Sequence, residues 1–250
     1  MACQAAGGGQ HVADSEAMTA GDPGSTVGDG DTAVMPVALR AEFIRRAQTM
    51  TVRKGQIVIA EGSDADDVYL ILSGQFRISL SSHGGREVIL RDVGPDEIMG
   101  ELSAIDGQVR STSAVAASDA RLARLSGDGF TAFLGEVPQA GLWMARQLAG
   151  RVRDLTSRSF DLVTLPVGSR VHRELLRLAE EQGALESVDR WTVVPMPTHA
   201  EIAARIGTHR EAVSREFGLL VKEGIVKKAG RGLEILSMAA LHALQERMRR

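Results

Sequence analysis

Residues Thr198 to Arg215 constrain the fold of this chain more than any other stretch, because they signal two short helices joined by a turn that few sequences allow. Thr198 with Glu201, and Thr208 with Glu211, each have the spacing of a capping box, in which a hydroxyl and a carboxylate satisfy free N–H groups at a helix start. Ala203 is small where two helices must cross closely, Gly207 can take the positive φ of a tight turn, and Ile202, Ile206, Val213 and Phe217 can bury the inner faces. The pattern is a helix-turn-helix. Two short apolar runs follow, Ile225-Val226 and Leu233-Glu234-Ile235-Leu236, joined through Lys227-Lys228-Ala229-Gly230-Arg231-Gly232, which predicts the winged form.

On the second helix Arg210, Glu211, Ser214 and Arg215 fall on one face, away from Val213 and Phe217. Arginine can bond both major-groove acceptors of guanine and glutamate can accept from the cytosine amino group, so this set can read base edges. The plainer alternative is a Glu211–Arg215 ion pair on a solvated helix. Thr198, His209, Lys227, Lys228 and Arg231 suit phosphates, where they add affinity without sequence choice. Charge agrees only weakly. The whole chain of 250 residues carries −3, but residues 166–250 hold fourteen basic against eleven acidic residues, an excess of three positive charges.

A second informative segment runs from Gly100 to Ser113, where Glu101, Arg110 and Ser111 surround a short glycine-containing loop. A ribose hydroxyl wants a carboxylate acceptor, and a phosphate wants a guanidinium fork backed by hydroxyls and backbone N–H groups. By itself the pattern is also compatible with a loop carrying a surface ion pair. Upstream, Gly62, Gly74 and Gly94 punctuate runs such as Val68-Tyr69-Leu70-Ile71-Leu72 and Phe76-Arg77-Ile78-Ser79-Leu80, which read as short strands, with His83-Gly84-Gly85 as a hairpin tip.

Between these segments Gly141, Ala145, Leu148, Val152, Leu155, Ser159 and Leu162 alternate in spacings of four and three, the seam of a heptad helix. Arg146, Arg151, Arg153, Asp154 and Arg158 fall off that seam, which predicts a narrow apolar stripe with wet flanks. Pro166 should end this helix and open the next, Val167 to Glu181, making a hinge.

Several classes are excluded or disfavoured. The first 35 residues hold seven glycines, five acids and no Lys or Arg, without apolar periodicity, and read as a disordered tail rather than a signal sequence or membrane span. The only cysteine, Cys3, lies there, which rules out a disulfide framework or a four-cysteine cluster and suits a cytoplasmic address. His11, His83, His172, His199, His209 and His242 show no metal-ligand spacing. No Gly-x-Ser-x-Gly elbow or P-loop is present, so the chain is not expected to be an enzyme.

Taken together, the Glu101…Arg110-Ser111 cassette, the glycine-punctuated strands, the heptad helix and the helix-turn-helix resemble the cAMP receptor protein (CRP/FNR) family of bacterial transcription regulators. The resemblance implies an α+β fold: a tail over 1–35, a cyclic-nucleotide-binding β-roll (jelly roll) of eight strands over 36–137, a dimerisation helix over 138–165, and a winged helix-turn-helix domain over 166–250. It implies a cyclic-nucleotide effector, cAMP or cGMP, held by Gly100, Glu101, Leu102, Arg110 and Ser111, with no metal, haem or iron–sulfur cofactor. Base recognition falls on the dimer helix, where Leu155 and Thr156 stand in place of the Thr-Ser pair of the best-known cAMP-responsive members. Leu155 cannot hydrogen-bond a purine, whereas Thr156 can. The implied partners are a second copy of the chain, double-stranded DNA with a palindromic TGTGA-like site and RNA polymerase, with no membrane. A regulator that answers to another effector, or to none, is the alternative.

Overall fold

The computed structural model describes residues 34–82, 84, 87–187 and 189–247. Helix α1 (Val37–Arg46) leads into strands β1 (Gln48–Val52), β2 (Ile57–Ile59), β3 (Val68–Ser73), β4 (Phe76–Ser81), β5 (Glu87–Val93) and β6 (Ile98–Met99). After helix α2 (Glu101–Asp106) come β7 (Ser113–Ala116) and β8 (Ala120–Leu125). These eight strands form two four-stranded sheets, ordered β1-β8-β3-β6 and β2-β7-β4-β5. All the pairings in them are antiparallel. Of the expected hairpin tip between β4 and β5, His83 and Gly85 lie outside the described residues.

The apolar run in β3 follows from its position. Tyr69 and Ile71 face the layer between the sheets, with Phe76, Ile78 and Leu122, while Val68 and Leu70 join a second core beneath the helices. A strand covered on both faces has no polar alternation to show. The second core is built on α1, α3 (Gly127–Glu136) and the start of α4 (Ala140–Thr164). In it Phe43 and Phe133 meet edge to face at 5.5 Å, both fully buried. Met35 belongs to this core at 1% exposure, and its N–H donates to the Asp96 carbonyl at 2.7 Å. Met35, the last residue of the expected tail, is therefore packed into the roll; Cys3 and His11 lie outside the described residues.

Helix α4 leaves the roll along its length. Trp143, Met144 and Gln147 are buried, whereas Val152, Leu155 and Leu162 of the heptad seam are 62%, 54% and 51% exposed in the single chain. The expectation of wet flanks needs correction. Arg151 pairs with Glu101 of α2 and Arg158 donates to the Leu90 carbonyl of β5, so both lie against the roll. They continue the stripe begun by Trp143 and Gln147, at steps of four, four and seven residues.

Leu165 is extended and Pro166 caps α5 (Val167–Gln182) with φ −57°. The last domain adds β9 (Gly183–Ser187), β10 (Arg190–Val193), α6 (His199–Arg205), α7 (Arg210–Lys222), β11 (Val226–Ala229), β12 (Gly232–Ile235) and α8 (Met238–Arg247). Its core gathers Val171, Leu175, Leu178 and Ala179 of α5 with Ile202, Val213, Phe217 and Ile235. Strands β9 and β10, absent from the sequence reading, extend the β11–β12 wing into a four-stranded sheet.

The turn between α6 and α7 uses Gly207 at φ 66°, where a Cβ would stand 3.0 Å from a Leu162 methyl of α4. The Thr198–Glu201 capping box forms in full. The Thr208–Glu211 box does not: Thr208 N–H bonds the Ala203 carbonyl at 2.9 Å inside the turn, so α7 starts one residue later, behind His209, without a side-chain cap. Glu211 then sits at the second helical position, too early to reach back.

Candidate nucleotide site and nucleic-acid interface

The Gly100–Ser113 cassette wraps α2 and is closed by the loop from Gly62 to Asp67. Gly62 N–H donates to the Arg110 carbonyl at 2.8 Å and Arg110 N–H to the Ser63 carbonyl at 2.9 Å. The Arg110 side chain then turns inward. It is 3% exposed, with Nη1 donating to the Gly100 carbonyl at 2.6 Å and Nη2 to the Asp67 carbonyl at 2.5 Å. Gly100 makes this possible: its φ is 88°, and a Cβ there would lie 2.7 Å from Asp67 O and 2.8 Å from Arg110 Nη1.

Glu101, also 3% exposed, opens α2 and pairs with Arg151 of α4. Carboxylate and guanidinium therefore sit at one short helix, backed by a cradle only glycine fits. Two features make the set fit a sugar-phosphate. Arg110 Nε is buried without a hydrogen-bond partner, a costly state for a charged donor. Both ends of the set are held by the protein itself, Arg110 by two backbone carbonyls and Glu101 by Arg151. Ser111 and Leu102 lie exposed at the rim. Thr156 is exposed on α4 and its hydroxyl donates to its own helix, at Val152 O, 2.8 Å away, so it is not drawn into the cassette here.

Arg91 lies behind the site, within reach of Glu97 at 3.3 Å. Burial, helped by the nearby Arg151 charge, lowers its pKa, and burial lowers that of Arg158. Burial also raises Glu97. Sequence reasoning missed Arg91, Arg151 and Arg158 as neighbours of the site. For the two on α4 the usable signal was the roll-facing stripe, not the seam.

The second site lies on α7. Val213, Phe217 and Leu220 are buried, leaving Arg210, Glu211, Ser214 and Arg215 exposed together. Lys227, Lys228, Arg231 and His209 are exposed beside them. Thr198 is exposed as well, but its hydroxyl is engaged within the capping box, donating to Glu201 Oε2 at 2.9 Å and accepting from Glu201 N–H at 3.2 Å. His199, passed over in the sequence, places Nδ1 2.8 Å from Ser214 Oγ. His172 of α5 meets Glu216 of α7 at 2.7 Å, and Arg170 donates to the Ile206 carbonyl at 2.6 Å, so α5 sets the pose of both helices.

The helix-turn-helix is physically linked to the roll. Arg205 of α6 pairs with Asp92 of β5, and Arg77 of β4 reaches Glu201 at 2.8 Å and Asp92 at 3.4 Å. The fold and its paired sites define a DNA-binding transcription regulator built on a cyclic-nucleotide-binding domain. Comparison with known proteins bears this out: residues 49–136 match the cyclic nucleotide-binding domain family, and residues 169–244 the Crp-like helix-turn-helix domain family.

The chain belongs to the CRP/FNR family of transcription regulators. It is similar to a CRP-like cAMP-activated global transcriptional regulator of Mycobacterium tuberculosis, with 30% identity over 202 residues, 81% of this chain and 89% of the relative. A cyclic AMP receptor protein of Thermus thermophilus is 32% identical over 76% of this chain and 85% of its own length. Among solved structures, a CRP/FNR family transcriptional regulator, also from Thermus thermophilus, superposes with a TM-score of 0.65 at 27% identity, covering 80% of this chain and 98% of the other.

Proposed function

We propose that the chain is a homodimeric regulator whose affinity for a palindromic TGTGA-like DNA site is set by cAMP or cGMP bound at the Glu101–Arg110 cassette. The observation that carries this reading is the buried, half-satisfied Arg110 guanidinium beside Gly100. A cyclic phosphate at the cassette rim takes the remaining donor capacity of Arg110 and the Ser111 hydroxyl, and Glu101 accepts from the ribose. Glu101 is already coupled to α4 through Arg151, so a ligand that engages Glu101 acts on the helix that leads to Pro166 and the reading head.

Binding shifts a population between two poses of that head. In the pose seen here the head is fastened to β4 and β5 through Arg205, Asp92, Arg77 and Glu201. The exposed seam of α4 is the surface a second copy covers, placing two α7 helices about one DNA turn apart. On α7, Arg210, Glu211 and Arg215 read base edges, while His209, Lys227, Lys228 and Arg231 hold phosphates. The setting is cytoplasmic, with RNA polymerase as the further partner.

The two curated relatives described above carry cAMP in their names, which supports cAMP as the first effector; Leu155 at a base-facing position keeps cGMP a competitor. Calorimetric titration of the intact protein with each nucleotide is the test. Saturable binding of at least one supports the reading, and binding of neither overturns it in favour of a different effector or none.

A further inference from the structure

Where α6, α7 and the wing meet, His199 occupies a place the functions above do not use. Its ring stacks on the buried Phe217 with centroids 4.6 Å apart and planes tilted by 31°, and its Nδ1 lies 2.8 Å from the Ser214 hydroxyl. A helical serine commonly bonds back to the carbonyl four residues earlier. Here its bond to α6 fixes it beside Arg210 and Arg215 on the exposed face of α7.

A hydroxyl has one proton, and this contact decides where it goes. We propose that His199 is a specificity-determining residue: its imidazole sets whether Ser214 meets a base edge as acceptor or as donor, so protonation of the ring changes which base the helix prefers. In the neutral ring that carries its proton on Nε2, Nδ1 accepts the Ser214 proton, leaving the serine oxygen only lone pairs to offer the major groove. It then suits the exocyclic amino group of cytosine. In the imidazolium, Nδ1–H donates to Ser214 Oγ and the serine proton is released toward the groove, where it suits the acceptors of guanine or the thymine carbonyl. Adenine presents both a donor and an acceptor and should be nearly indifferent.

The surroundings keep the neutral form in play. Burial, then the charges of Arg210 on α7 and Lys228 on β11, push the His199 pKa below its usual value. Approaching DNA phosphates oppose those cations and favour the imidazolium. The ring can therefore change state when DNA is engaged, in mildly acidic solution.

This inference rests on α7 as the base-reading helix, and the test separates the two. Binding of the intact, nucleotide-loaded protein is measured by fluorescence anisotropy on a panel of duplexes carrying each base at every half-site position, at about pH 5.5 and about pH 8. The wild type is compared with His199→Gln, Ser214→Ala and Arg210→Ala. The expected result is one position at which the guanine-to-cytosine preference changes by about fivefold between the two pH values. That change is absent from both His199→Gln and Ser214→Ala, although Arg210→Ala still relaxes a different position. Equal preferences at both pH values in the wild type, or a change that survives in either variant, overturns the proposal and leaves α7 as reader. If Arg210→Ala also alters no preference, the reading of α7 itself fails. Nitrogen NMR of labelled histidine in the wild type gives an answer that needs no variant to fold: a neutral His199 carrying its proton on Nδ1 also overturns the proposal.

Discussion

Arg205 of α6 and Asp92 of β5, 113 residues apart in the sequence, form an ion pair in which the arginine side chain is 5% exposed and the aspartate 29%. Arg205 Nε also stands 3.7 Å from Glu174 of α5. A guanidinium this buried is tolerated because two carboxylates surround it, and one of them belongs to the nucleotide-binding roll. The pose of the head is thereby made dependent on the roll.

Asp92→Asn and Arg205→Gln should therefore be non-additive. A double-mutant cycle in urea is expected to give a coupling of about 1 kcal/mol, reduced from the value of a fully buried pair because Asp92 is partly solvated. Asp92→Asn alone should raise nucleotide-free DNA affinity by about fivefold, the effect of ~1 kcal/mol on a two-state equilibrium. Additive single variants would show that the two groups are neighbours without being a fastening.

Acid should loosen the neighbouring contact between Glu201 and Arg77. Burial of Glu201 works against its charge, but the backbone and hydroxyl of Thr198 and the Arg77 guanidinium outweigh it and leave its pKa lowered from 4.5. An acid whose folded pKa is depressed contributes stability that is fully present above its unfolded pKa and is lost as pH falls through the folded one. Thermal melts should thus show the wild type losing more stability than Glu201→Gln as pH drops below about 4.5. Parallel curves would remove Glu201 from the account.

Much of this was legible in the sequence, and what was not has identifiable causes. Capping at Thr198, the inner-face residues Ile202, Val213 and Phe217, and the glycine turn are local, so spacing revealed them. The cassette was legible because Gly100, Glu101 and Arg110 lie within one short segment. The roll contacts of Arg151 and Arg158 are not legible in the same way, because a heptad seam implies that everything off it is wet, whereas α4 has a second side against the roll. The start of α7 differs for another reason: the turn runs one residue further, so His209 and not Thr208 takes the N-cap position. Pairs such as Arg205–Asp92 depend on how two domains meet, which no local spacing encodes.

Base reading and phosphate binding should separate by mutation. Arg210→Ala is expected to weaken half-site binding by about 1 to 3 kcal/mol and to relax preference at one position. Lys228→Ala should weaken all sequences alike and lower the salt slope by about one. Competition binding at several salt concentrations distinguishes them, and identical behaviour of the two variants would contradict the division of roles.

Control of the reading head by nucleotide held at Arg110 is the proposed switch. Its most direct measurement is DNA affinity of Arg110→Leu with and without saturating cAMP or cGMP, on protein whose dimeric mass and melting curve show that it is folded. The expected result is a variant that still dimerises and whose DNA affinity no longer responds to nucleotide; activation equal to that of the wild type would contradict the claim.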